Sequence, residues 1–282
     1  LTMKRLRVLF IWNPAGTLSP VADWLLDHGH CARILMNARF DPFGNTSISR
    51  ASHMTHSSLE YWLDVVRQLV FFRTTHIHVN ASLPALVLAR LLHPLTPIVF
   101  QYHGIEVRYR SAPHPETALA DKIIVSSPDL SLYGEWYDRP VSSMFYYRGG
   151  RRPGTAIMFY ADFFMKDLRK EAQQWCDERG VQLTVVVRGE HPGVPYVDMP
   201  VFLSQFEYFL DFKGYGHPKA ISRLAVEAIA CGCKVVSDTD PTRVVDDYEP
   251  VSPEKYHRLY MSLSSPRFSI GRLLLGIRGI VK

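Results

Sequence analysis

The chain has 282 residues, 47% of them hydrophobic and 21% charged, which is the composition of a globular protein with room for two domains. Its formal net charge of +5 favours an anionic partner, and by itself does not choose among phosphate esters, acidic lipids and nucleic acid. No uninterrupted apolar run approaches the 18 or so residues of a membrane-spanning helix, so a soluble or peripheral protein is expected.

The first half of the chain alternates short apolar runs with helical patterns. Its opening residues, LTMKRLRVLFIWNP, end in Asn-Pro rather than in a small-residue cleavage site, so we interpret them as a first buried strand and not as a signal peptide. Further strands are predicted in ARILMN, HIHVN, PIVFQYHG and DKIIVSS, with helices at 20–29, 58–72 and 83–92 and a polar loop at 41–57. Strands that are apolar throughout and separated by helices indicate a parallel sheet covered on both faces, hence one Rossmann-like domain over residues 1–147.

The alternation restarts after RGGRRPG at 148–154, a glycine- and arginine-rich stretch that is typical of an interdomain connection. Apolar runs follow in TAIMFY, VQLTVVV, MPVFLSQF, EYFLDF and CKVVSD, with one helix predicted over 165–179 and another before CKVVSD. We therefore predict a second Rossmann-like domain over residues 148–282, with a basic C-terminal segment. Two α/β domains facing each other would leave a cleft lined by the carboxyl ends of both sheets, where ligands usually bind.

The helix within KAISRLAVEAIACGCKVVSD carries one carboxylate, Glu227, among small apolar residues. Pro218 fits the start of this helix and Gly232 its end. One interpretation pairs Glu227 with Arg223 on a solvated helical face. The other points the carboxylate into the cleft, where it accepts hydrogen bonds from sugar hydroxyls.

Several motifs in this chain resemble those of GT-B glycosyltransferases, especially the large retaining family that includes sucrose and glycogen synthases. AVEAIACGCKVVSD is similar to the family's LEAMACGxPVV segment. Similar motifs occur in the family's order earlier in the chain, in LLDHGHCARIL, HIHVN, PIVFQYHGIEVR and ADKIIVSSPDL. The resemblance implies the GT-B fold and a nucleotide-diphosphate sugar as donor, with a glycan or lipid-linked hydroxyl as acceptor.

The family's pair of glutamates, spaced Glu-x7-Glu, is only half present. The resemblance places Glu227 at the second glutamate, near the nucleotide ribose, and Lys219 where the first, sugar-side glutamate belongs. Lys219, His217 or Asp211 would then have replaced the missing acid. This departure leaves the sugar-side chemistry open.

Basic residues are the candidates for stabilising the diphosphate leaving group. The resemblance places Lys166 on the diphosphate and His103 on the transferred sugar. Arg188 is assigned to the diphosphate from its own position after the strand VQLTVVV, and Arg223 with the backbone amides up to Ser222 would complete the donor site.

Other loop residues have secondary assignments. Gly16, in the first loop, would let the backbone approach the donor closely. Glu106 and Arg108 follow His103 and are candidates for the acceptor. Asp238 and Asp240 form an Asp-x-Asp pair that runs into a proline, which we interpret as a turn rather than a metal site, so neither metal nor cofactor is expected.

The four cysteines form no C-x-x-C pair, which favours a reducing, cytoplasmic setting. The final stretch SSPRFSIGRLLLGIRGIVK is expected to pack back on the first domain, and the alternative is peripheral contact with an anionic membrane on its cytoplasmic face. Nucleic acid is not expected as a partner. Two alternatives to a transferase stay open: a catalytically degenerate glycosyltransferase-like binding protein, and an isomerase like the sugar-nucleotide 2-epimerases.

Overall fold

The computed structural model describes residues 5–13, 16–41, 44–104, 107, 112–147, 149–150, 152–160, 166–187, 194–212, 221–237, 240–245 and 251–263. They form two compact units. The first draws on the described residues of Leu1–Pro140 and Val251–Lys282, and the second on those of Val141–Pro250.

The first unit contains a seven-stranded parallel sheet. Its strands are β1 (Arg7–Ile11), β2 (Cys31–Asn37), β3 (Ser52–Thr55), β4 (His76–Asn80), β5 (Ile98–Tyr102), β6 (Lys122–Val125) and β7 (Glu135–Trp136). They are ordered β3-β2-β1-β4-β5-β6-β7, and every pairing is parallel. This order, with the first strand central and the chain moving outward in both directions, is that of a Rossmann-like sheet.

Helices cover both faces of this sheet, as the apolar runs predict. They are α1 (Ser19–Asp27), α2 (Ser58–Phe71) and α3 (Leu83–Leu92). Alternate residues of β1 divide between the two faces: Leu9 and Ile11 belong to the core shared with α2 and α3, and Val8 and Phe10 to the core shared with α1.

The second unit contains a five-stranded sheet. Its strands are β8 (Arg152–Tyr160), β9 (Gln182–Val187), β10 (Phe206–Asp211), β11 (Lys234–Ser237) and β12 (Asp240–Val245), and its helices are α4 (Lys166–Asp177), α5 (Met199–Leu203) and α6 (Arg223–Ala230). The order is β12-β11-β10-β8-β9, parallel except for the antiparallel β11–β12 pair. One core packs against α5 and α6, and a second packs against α4 on the other face.

The chain then returns to the first unit in α7 (Pro253–Ser262). Tyr256 and Tyr260 are fully buried in the core that α1 shares with the first sheet. The predicted boundary at residue 148 instead assigned α7 to the second domain, because a helical pattern shows which face is apolar but not which sheet it covers.

Three edge strands depart from the sequence patterns. β3 lies inside the stretch predicted as a polar loop at 41–57, and β7 and β12 were not predicted. β3 spans four residues, of which only Thr55 is buried, so its strand structure comes from pairing with β2 rather than from an apolar pattern.

Candidate functional site

In the second unit, the amino terminus of α6 is tied to the end of β10. Ser222 is the N-cap of α6, and its hydroxyl accepts a hydrogen bond from the amide of Ala225 at 3.2 Å. The amide of Ser222 donates to Oδ2 of Asp211, the last residue of β10, at 2.6 Å. The helix therefore begins at the carboxyl edge of the sheet, where ligands of open parallel sheets bind.

One turn into α6, a buried cluster joins Glu227, Arg223 and Tyr196. Glu227 is 2% exposed, and its Oε1 accepts hydrogen bonds from the Tyr196 hydroxyl at 2.6 Å and from Arg223 Nε at 2.7 Å. Arg223 also donates to the Tyr196 oxygen, and its guanidinium lies 5.2 Å from the centre of the Tyr196 ring. The ion pair of the first interpretation is present, but it is buried rather than solvated.

Burial shapes the charges of this cluster. Burial by itself lowers the pKa of the Arg223 guanidinium. The Glu227 carboxylate and the Tyr196 hydroxyl raise it by more, so the pKa of Arg223 lies above its ordinary value. Burial also raises the pKa of Tyr196. Arg223 is therefore cationic and Tyr196 a neutral phenol at any physiological pH.

Two polar atoms of the cluster have no protein partner in the described part of the chain. Arg223 Nη1 is buried without a hydrogen bond. Both hydrogen bonds to Glu227 fall on Oε1, and no described residue donates to Oε2. A guanidinium donor and a carboxylate acceptor suit a ligand that carries both oxygen acceptors and hydroxyl donors.

In the first unit, His103 follows β5 and contacts residues at the ends of the two neighbouring strands. Its Nε2 donates to Oδ1 of Asn80, the last residue of β4, and its Nδ1 accepts from the Ser126 hydroxyl at 3.1 Å, just after β6. Ser126 in turn accepts from Gln101 Nε2 at 2.7 Å. These contacts fix the orientation of the His103 ring at the carboxyl edge of the sheet.

At Gly16, the group that approaches the backbone closely is another part of the protein, the backbone of Asn45. Gly16 has φ +64°, and a Cβ there would lie 2.2 Å from the backbone oxygen of Asn45. Gly16 was predicted to let the backbone approach the donor, whereas in the structure its positive φ and the packing of Asn45 against it already require a glycine.

Several predicted site residues cannot be placed. Arg188 and Lys219 lie outside the described residues, and Lys166 begins α4 with a side chain that is not described. His217, Pro218, Ala220, Glu106, Arg108 and Asp238 also lie outside the described residues, as do the side chain of Asp240 and the basic segment 264–282. The residues that the structure does place fall into two groups: Asp211, Ser222, Arg223 and Glu227 in the second unit, and Gly16 and His103 in the first.

Sequence reasoning missed two features. Tyr196 comes from the loop before α5 and reaches Glu227 across 31 residues, a distance at which no periodic pattern operates. An aromatic pocket in the first unit was also missed, although two of its rings, Trp12 and Phe40, come shortly after predicted strands. Among the described residues, no group of three or more His, Cys, Asp or Glu side chains is placed to hold a metal ion.

None of the helices in the described part of the chain is long and apolar enough to cross a membrane. No model of a known protein family matches the sequence, and no curated protein matches it.

Solved structures resemble the chain over nearly its whole length. The catalytic domain of starch synthase IV from Arabidopsis thaliana, solved with ADP and acarbose, matches with a TM-score of 0.54 and 9% identity, over 99% of this chain and 100% of that one. UDP-GlcNAc 2-epimerase from Methanocaldococcus jannaschii matches with a TM-score of 0.49 and 9% identity, over 99% and 92%. MurG from Acinetobacter baumannii matches with a TM-score of 0.38 and 12% identity, over 98% and 94%. The chain has the GT-B fold, as the sequence motifs predicted.

Proposed function

We propose that this chain is a glycosyltransferase, which moves a sugar from a nucleotide-diphosphate sugar to a hydroxyl of a glycan or lipid-linked acceptor. The GT-B fold supports the proposal, since the starch synthase domain of the same fold was solved with ADP and acarbose. Fold alone does not select a reaction, so the proposal depends on the residues of the second-unit cluster.

The observation that carries the proposal is the buried Arg223–Glu227 pair with its two unused polar atoms. Burying an ion pair in place of apolar side chains of similar size often lowers stability, so stability gives little reason to keep one here. We assign Glu227 Oε2 to the ribose hydroxyls and Arg223 Nη1 to the diphosphate. The assignment of Glu227 agrees with the family resemblance of the AVEAIACGCKVVSD segment, whereas that of Arg223 comes from its position at the start of α6.

The proposed chemistry needs no metal, because cationic side chains neutralise the leaving group. The bond between the anomeric carbon and the diphosphate oxygen breaks, and that oxygen keeps the electron pair. The acceptor oxygen bonds to the anomeric carbon on the same face and gives its proton to the departing diphosphate, so configuration is retained. Arg223, Lys166 and Arg188 would stabilise the developing negative charge, while His103 would position the sugar.

Two observations favour a second candidate, a nucleotide-sugar-binding protein without transferase activity. The Ser222 amide, which was expected to face the diphosphate, already donates to Asp211 at 2.6 Å. Lys219 also stands where the family has its sugar-side glutamate. Such a protein would bind the donor and release no nucleotide.

The experiment is a thermal-shift panel of UDP-, GDP-, ADP- and dTDP-sugars, followed by an assay of nucleotide release with the sugar that binds. A ligand at 100 times its Kd stabilises the folded state by about 2.7 kcal/mol, which is readily measured. Nucleotide release that depends on added acceptor would support the transferase. Binding without release would support the second candidate, and no shift with any nucleotide would overturn both.

The informative variant is Glu227→Gln, because the glutamine keeps the volume of the side chain and an oxygen that can accept from Arg223 and Tyr196, whereas Glu227→Ala removes both. Tyr196→Phe is its matched control, since it removes a hydrogen bond to the same carboxylate but leaves Oε2 intact. We expect Glu227→Gln to lose the nucleotide-induced shift and Tyr196→Phe to keep it. Equal losses in both variants would mean that Glu227 acts only through the packing of the cluster.

A further inference from the structure

The first unit contains an aromatic pocket of about 440 Å³ at the carboxyl edge of its sheet. Trp12 follows β1, and its ring centre lies 4.9 Å from that of Phe40 and 5.5 Å from that of Tyr61. Trp62 packs edge-on to Tyr61, at 5.4 Å. The volume is within the roughly 300–1,000 Å³ that is typical of small-molecule sites.

The backbone beside this pocket is held in an unfavourable conformation at two places. Trp12 has φ +67° and Ala81 has φ +53°, a region that residues other than glycine rarely adopt, and both line the pocket. Their amides continue the sheet's hydrogen bonds, to Leu35 O at 3.0 Å and to Gln101 O at 2.9 Å. The surrounding sheet thus maintains the strained backbone at both residues. In proteins, strain of this kind is concentrated at ligand sites.

The polar groups that line the pocket indicate what kind of ligand it can bind. None of the described residues that line it is charged, so an anionic group such as a diphosphate would find no counter-charge there. Tyr61 is 3% exposed, and its hydroxyl is buried without a hydrogen-bond partner in the described part of the chain. Asn37, Ser58 and Ser82 add uncharged polar side chains to the wall.

We propose that this pocket binds a neutral pyranose ring, stacked on Trp62 and hydrogen-bonded by the Tyr61 hydroxyl. A pyranose presents C–H groups on one face, which pack on the electron-rich faces of aromatic rings, and hydroxyls around its rim, which partner a buried phenol. The ring would belong to the acceptor of the transferase, and that role alone rests on the function proposed above. Binding itself does not depend on it.

The test is saturation-transfer-difference NMR on the full chain, with tryptophan fluorescence as a second readout and no nucleotide present. The probes are the methyl pyranosides of glucose, galactose, mannose and N-acetylglucosamine. We expect at least one to bind with a millimolar Kd. Tyr61→Phe should weaken it about five- to tenfold, as loss of one hydrogen bond does, without lowering the melting temperature, because the hydroxyl has no partner to lose among the described residues.

Two further variants complete the design. Trp62→Ala should abolish binding, and Trp136→Ala, which changes another partly exposed tryptophan of the same unit outside the pocket, should leave it unchanged. The proposal is overturned if no glycoside binds, if Tyr61→Phe and Trp62→Ala bind as the wild type does, or if phenol and butanol bind where the glycosides do not. The glycoside assay contains no nucleotide, so a negative result in it does not bear on the donor-site proposal. Likewise, a negative result in the nucleotide panel does not bear on the pyranose pocket.

Discussion

The hydroxyl of Tyr260 lies 2.8 Å from Nδ1 of His78, in a contact between α7 and the central strand β4 that spans 182 residues. Both residues are fully buried. The contact and the rings around it, Phe10 and Tyr256, explain why α7 belongs to the first unit although it follows the second in the chain.

His78 should make the first unit sensitive to acid. Burial lowers its pKa from 6.5 to about 3, so the folded state keeps it neutral while the unfolded state takes up a proton below pH 6.5. Its contribution to stability is therefore complete above pH 6.5 and is lost as the pH falls toward 3. Between pH 7.5 and 5 we expect the wild type to lose roughly 2 kcal/mol relative to His78→Phe in urea unfolding. If the stability difference between the wild type and His78→Phe stayed constant over this range, His78 would not be the group that titrates. Tyr260→Phe keeps the imidazole, so its stability should fall with pH as steeply as that of the wild type.

Asp138 should act with the opposite sign. Burial raises its pKa from 3.8 to about 6, so in this interval the folded state holds a proton that the unfolded state has released. Its contribution to stability is present below pH 3.8 and is lost as the pH rises through 6. The stability of Asp138→Asn relative to wild type should therefore increase by about 2 kcal/mol from pH 4 to pH 7.5, measured by the same unfolding titration. If the stability difference between Asp138→Asn and the wild type did not change with pH, the Asp138 carboxyl would be in contact with water.

The buried pair Arg223–Glu227 should behave differently from an exposed pair with the same helical spacing. The side chains of Arg223 and Glu227 are 11% and 3% exposed, whereas those of Arg258 and Glu254 are 68% and 53% exposed. Removing one charge of the buried pair should lower the free energy of unfolding by about 3–5 kcal/mol, against about 0.5 kcal/mol for the exposed pair. Glu227→Ala and Glu254→Ala, compared by chemical denaturation, test this. Equal effects would mean that water reaches the buried pair.

Alanine substitutions at Gly16 and Gly29 can distinguish the cost of a positive φ from the cost of close packing. Both have positive φ, +64° and +77°, but a Cβ on Gly16 would lie 2.2 Å from a backbone oxygen, while one on Gly29 would meet nothing within 4 Å. We expect Gly29→Ala to lower the free energy of unfolding by about 1 kcal/mol, from conformation alone. Gly16→Ala should lower it by about 2–4 kcal/mol, since the loop containing Asn45 must also move. If the two variants lost the same stability, the packing at Asn45 would be looser than the structure has it.

The architecture could be predicted to a large extent because it depends on local periodicity. The apolar runs and the 3.6-residue patterns placed the central strands and α1 to α4 nearly where the structure has them, and the ordered motifs predicted the GT-B fold. The edge strands β3, β7 and β12 escaped prediction because their structure comes from the neighbouring strand.

The environment of Glu227 could not be predicted in the same way. Its spacing to Arg223 made the ion pair foreseeable, since four residues are one helical turn. That the pair is buried, and shares its oxygen with Tyr196 from a distant loop, depends on how α6 packs beside that loop. The same holds for the aromatic pocket, in which Trp12, Phe40 and Tyr61 come from three separate segments.

Periodicity and composition thus specified two α/β units and most of their helices and strands, because these depend on neighbours along the chain. The apolar run MPVFLSQF is an exception, since it contains the helix α5 rather than a strand. The return of α7, the burial of the Arg223–Glu227 pair and the uncharged pocket came from the folded structure alone. Each is a contact between segments far apart in sequence, and such contacts are set by the packing of whole elements, which no local pattern records.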